Sequence, residues 1–100
     1  MYVSHGEYYE EKESKLRLIC RGEIHLTSQR IIIDRGKQEH ILDLLDVDAA
    51  TIESNNKLQL YQAKTGSLIQ IRFLSSSALL WQDMIVLILE RFFHKTIITR

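Results

Sequence analysis

Proline is absent from this chain and no Ser- or Gly-rich tract stands in for it, so nothing marks a linker between domains. Cysteine occurs once, at Cys20, which excludes an internal disulfide and removes the thiolate clusters on which most structural zinc sites depend. Net charge is missing as well. Thirteen basic and thirteen acidic residues cancel, leaving no overall field to draw the chain to nucleic acid or to an anionic bilayer. No basic-then-apolar signal segment opens the sequence, and the apolar run Met84–Leu89 is far short of the roughly 20 residues that span a membrane. No glycine-framed serine, P-loop or dinucleotide fingerprint occurs, so neither an enzyme nor a cofactor is expected. These absences imply one soluble domain over residues 1–100, in a reducing and therefore cytoplasmic setting.

What is present is the composition of a folded protein, 45% hydrophobic and 26% charged, which is too apolar for a disordered tail. Residues 1–14 set four glutamates against Lys12 and read as a lead-in segment. Leu16, Leu18 and Cys20 then alternate with Arg17, Ile19 and Arg21, the two-residue period of a strand with one buried face, and Gly22 is expected to end it. Alternation resumes with Ile24 and Leu26 before a tight turn at Ser28 and Gln29, and Ile31, Ile32 and Ile33 stiffen the next segment into a strand. Arg35, Gly36 and Lys37 make a turn. Residues 40–45 and 47–53 are short extended candidates, with LLDVDAA also able to form a helical turn. Asn55 and Asn56, then Lys64, Thr65 and Gly66, separate two further strands, 57–62 and 68–73. Ser75, Ser76 and Ser77 offer N-cap hydroxyls to a helix over 75–94, whose core face is expected to hold Trp81, Ile85, Ile88 and Phe92, joined by Leu80, Met84 and Leu87 on its flank.

The segment GEIHLTSQRIIID resembles the second and third strands of GRAM-type and bacterial PH-like domains. In those families a glycine opens a strand ending in Leu-Thr, a polar turn follows, and an arginine leads an aliphatic run. Gly22, Leu26, Thr27, Arg30 and Ile31–Ile33 occupy these places, and Ile41–Val47, Lys57–Leu60 and Trp81 are similar to the pattern downstream. The resemblance spans roughly Leu16 to Phe93. It implies a mainly β (α+β) fold, a PH-like partly open barrel of about seven antiparallel strands capped by one C-terminal helix. It also implies binding and not catalysis: a module that makes protein contacts, free-standing or as an accessory domain of a larger protein. Phosphoinositide-binding members carry basic residues on a long loop between their first two strands. Here that loop reads as Arg21 and Gly22, and Glu10, Glu11 and Glu13 surround the basic run Lys12–Arg17. Peripheral binding of anionic lipid through Lys15, Arg17, Arg35 and Lys37 is therefore the alternative function. An unrecognised small enzyme, which would need a deep polar pocket, is the third.

The remaining constellations have plain readings. His5, His25, His40 and His94 are scattered without a second ligand at helical spacing, although His25 and His40 fall in neighbouring segments, and no metal site is expected. Asp43, Asp46 and Asp48 lack the glycine and the glutamate of a calcium loop. Cys20 is expected to be a buried apolar side chain, and Arg30 to pair with an acid or with backbone carbonyls. The helix offers the sharpest functional hint. Leu79, Val86 and Phe93 recur every seven residues near Gln82 and Glu90, on the side opposite the expected core face. They are the expected docking stripe for a protein partner, a fused domain or a second copy; the plainer account tucks Phe93 under the tail and buries Leu79 at the helix entrance.

Overall fold

The first correction comes at the N-terminus, where the expected lead-in is a strand. A computed structural model describes residues 2–100. It runs β1 (Tyr2–Lys12), β2 (Lys15–Leu26), β3 (Arg30–Asp34), β4 (Glu39–Asp43), a single 3-10 turn (Leu44–Asp46), β5 (Ala49–Ser54), β6 (Lys57–Gln62), β7 (Ser67–Phe73) and the helix α1 (Ala78–Phe93). The seven strands form one antiparallel sheet in the order β4-β3-β2-β1-β7-β6-β5, with the helix C-terminal to it. This is the mainly β arrangement expected, and it is consistent with a PH-like α+β fold.

β1 turns Ser4, Gly6 and Tyr8 inward, so Tyr8 alone gives its buried face a large side chain where other strands carry aliphatics. It is joined to β2 through Glu13 and Ser14, both at positive φ (54° and 63°), the backbone of a two-residue hairpin turn. The loop between the first two strands is therefore Glu13-Ser14 and not Arg21-Gly22. Gly22 lies inside β2, directly opposite Gly6, and does not end a strand. The pairing shifts between Tyr8 and Tyr9, which face Cys20 and Leu18, so Ile19 is an extra residue in β2. Such a bulge reverses the inward-outward parity, and it leaves Leu16 and Leu18 exposed instead of buried with Cys20.

From Leu26 onward the turns fall where the residues direct them. The Thr27 hydroxyl accepts from the backbone N–H of Gln29 and of Arg30, closing the β2–β3 turn. Gly36 takes φ 94° between β3 and β4, and its N–H donates to Asp34 Oδ1 at 2.8 Å. In the core Ile24, Leu26, Ile31, Ile33, Leu58, Leu60, Ile69, Ile71 and Phe73 meet the helix residues Trp81, Ile85 and Leu89. Ser77 caps the helix, its Oγ accepting from Leu80 N–H, while Ser75 and Ser76 turn to Ser4 in β1. The helix thus starts three residues later than the expected 75. Its core face is also rotated: Leu89 and Gln82 are buried, Ile88 is half-buried, and Phe92 is 64% exposed. Gln82 causes the rotation, because its Nε2 donates to Ala50 O (2.7 Å) and Thr99 O (3.1 Å), so the amide is buried at no hydrogen-bonding loss.

The tail after α1 returns along β5. Ile98 bridges Ala49 in parallel, accepting from Ala50 N–H at 2.8 Å and donating to Asp48 O at 3.1 Å, and so covers part of an otherwise open sheet edge. Asp48 ties this corner together. Its Oδ2 accepts from Ala63 N–H at 2.7 Å and its Oδ1 lies 3.0 Å from Lys95 Nζ. The Ala63 hydrogen bond, then Lys95, hold its carboxyl below the usual range. A depressed carboxyl stabilises the fold above its unfolded pKa of about 3.9, and that contribution is lost as pH falls through the lower folded value. Asp48→Asn is accordingly expected to flatten the melting-temperature profile below about pH 4. Parallel profiles for the variant and the parent protein would show that Asp48 has no such role.

Candidate functional site

The helix has two flanks beside its buried face, and they differ. On one lie the three expected docking residues. Leu79 is 55% exposed, at a concavity of about 650 Å³ shared with Ile52, Asn55, Asn56 and Leu74. Val86 is half-buried, and half-buried Phe93 packs against the core. The seven-residue spacing is real, but the stripe borders the buried face, not the side opposite to it. Leu79 is its only exposed member.

The other flank is the more apolar surface. Leu80 and Leu87 are 42% and 49% exposed, with Met84 and Ile88 half-buried on their core side and Phe92 continuing the i, i+4 ridge from Ile88. Met84, Leu87 and Ile88 also line a shallow groove of about 310 Å³ with Tyr2, Leu26, Thr27 and Ser28. Sequence reasoning assigned Leu80, Met84 and Leu87 to the flank of the core stripe. The rotation imposed by Gln82 turns them toward solvent.

The basic residues of the lipid alternative are all exposed, but they occupy different levels of the sheet. Glu23 pairs with Asp34, so Arg35 and Lys37 begin near the level of Gly22. Arg17 and Lys15 lie five and seven residues further along β2, roughly 15 and 20 Å at ordinary strand rise. Arg17 also faces Glu10 across the hairpin and lies 3.9 Å from Glu13. Nearer the middle of the sheet, Arg21 and Arg72 flank Glu7 in one cross-strand row, at 3.1 and 3.5 Å. Glu7 and Glu13 thus hold positive charge that a phosphate would need.

The groups with perturbed acidity are not activated. Burial, then Glu10, raises the Tyr8 hydroxyl, and burial raises the Cys20 thiol against the opposing pull of Arg35. A nucleophilic thiol needs the reverse shift. Cys20 is 3% exposed, the buried side chain expected of it. Arg30 lies 3.9 Å from Asp43, the acid pairing expected of it. His25 and His40 do not meet: His25 faces outward opposite Ile32, while His40 packs on Tyr8 with ring centroids 4.4 Å apart. No helix among the described residues is long and apolar enough to cross a membrane. Against known proteins, no family model matches the chain and no curated protein matches it.

Proposed function

We propose that the chain is a non-catalytic PH-like interaction module that makes protein contacts through the exposed flank of α1. The observation that carries this reading is the apolar ridge on α1 in which Leu80, Leu87 and Phe92 are exposed beside Met84 and Ile88, half-buried against the core. Scattered single apolar residues are ordinary on a surface, whereas a continuous ridge of them on one helix is the mark of a contact site. The occupant it fits is a second copy of this chain. Asp83 and Glu90 border the ridge on one side, and Arg91 stands within it, one turn beyond Leu87; all three are exposed.

A helix of 16 residues is about 24 Å long, so the ridge offers less than the roughly 800 Å² per partner of a standard interface. The association is therefore weak and concentration-dependent. Sedimentation velocity over a wide concentration range is expected to show a monomer–dimer equilibrium that Leu87→Glu abolishes. Leu87 is half exposed, so the variant keeps its fold. A parent protein that stays monomeric at millimolar concentration, or a Leu87→Glu variant that still dimerises, would overturn this reading.

A further inference from the structure

We propose that the outer face of β1, β2 and β3 holds a site for one divalent transition-metal ion, ligated by Glu23, His25 and Asp34 and completed by His5. The cross-strand register builds it. His5 opposes Glu23, and Glu23 opposes Asp34, so three ligating side chains stand in one row across three strands. His25 is two residues along β2 from Glu23, and side chains two apart in a strand share a face. Ligand atoms of Glu23, His25 and Asp34 all lie within 4.8 Å of one another. His5 Nε2 comes within 3.9 Å of Glu23 Oε2, and His25 Nε2 within 3.8 Å of Glu23 Oε1.

Around a tetrahedral ion with bonds of about 2.0–2.2 Å, donors stand roughly 3.3–3.6 Å apart, so about an ångström of side-chain rotation closes Glu23, His25 and Asp34, while His5, which approaches Glu23 alone, swings in to complete the set. The supports are already in place. Asp34 Oδ1 accepts the Gly36 N–H, which orients the carboxylate and leaves its second oxygen for the ion. His25 is partly shielded, its side chain 21% exposed, while Glu23 and His5 are open enough for the ion to enter. Two imidazoles with two carboxylates select a borderline first-row ion such as Zn²⁺, Co²⁺ or Ni²⁺ over Mg²⁺ or Ca²⁺, which take oxygen ligands. Two histidines pairing with one glutamate would produce the same closeness without any ion. In that arrangement Asp34 has no part.

The test uses the full chain, stripped with chelator and titrated with ZnCl₂ by calorimetry, with Co²⁺ as an optical probe of tetrahedral coordination. One ion per chain is expected. Asp34→Asn and His25→Gln are each expected to weaken binding by at least about tenfold, and His5→Gln by less. The replaced side chains are partly or fully exposed, and fluorescence of the sole tryptophan, Trp81, verifies the fold of each variant. No saturable Zn²⁺ binding, or binding that both Asp34→Asn and His25→Gln leave unchanged, would overturn the proposal.

Discussion

Trp81→Ala is expected to cost about 3–5 kcal/mol, the range for truncating a fully buried aromatic. Trp81 has no exposed surface; it stacks on Phe73 with ring centroids 4.7 Å apart and meets Tyr2 edge-on at 5.5 Å. It thus joins the last strand, the first strand and the helix. A domain of this size has roughly 5–15 kcal/mol of stability in total, and each kilocalorie is worth about 4–8 °C, so the melting temperature should fall by at least about 12 °C. Trp81→Phe should cost much less. The indole Nε1 is buried without a hydrogen-bond partner, and phenylalanine keeps an aromatic stack while removing that orphan donor. Urea unfolding followed by circular dichroism measures both variants. An alanine variant within about 1 kcal/mol of the parent would remove Trp81 from the centre of the core.

The pattern that made Trp81 legible as core also shows where sequence reasoning stops. Strands β3, β6 and β7 were readable because their inward residues are aliphatic or aromatic and their turns carry Gly36, Gly66 or the Asn55-Asn56 pair. β1 has only Tyr8 of the first signal and nothing of the second. Its inward residues are Ser4, Gly6 and Tyr8, and its turn places Glu13 and Ser14, neither glycine nor asparagine, at positive φ. The bulge at Ile19 hid the second error, since one unpaired residue reverses a parity that looked continuous from Leu16 to Cys20. On the helix, Gln82 read as a solvent-facing residue because its backbone acceptors, Ala50 and Thr99, are 32 and 17 residues away in sequence. That single inversion exchanged the flank assigned to docking. The His5, Glu23 and Asp34 row was illegible for the same reason: a cross-strand cluster is a product of register, and local spacing does not carry register.

Register also gives the second large effect, at the glycine that sequence reasoning placed at a strand end. Replacing Gly22 with alanine is expected to destabilise the protein by roughly 1–3 kcal/mol, the usual cost of overpacking. Its φ is not positive, so alanine is acceptable to the backbone at this position and would, by restricting the unfolded chain, ordinarily stabilise by about 0.4–1 kcal/mol. Space decides the sign. A Cβ at residue 22 would run into the backbone carbonyl of Asp34, which has no rotamer with which to yield, so β3 must move away from β2. Gly66 is the contrasting case. It has φ 69° and nothing near its missing side chain, so Gly66→Ala pays only for the left-handed backbone, about 1 kcal/mol. Chemical denaturation should therefore rank Gly22→Ala below Gly66→Ala, and the reverse order would show that β2 and β3 can part at little cost. A displaced β3 also carries Asp34 away from Glu23 and His25. In a folded Gly22→Ala protein, Zn²⁺ affinity should fall although every ligand is retained, which ties the close approach of the two strands to the geometry of the metal site.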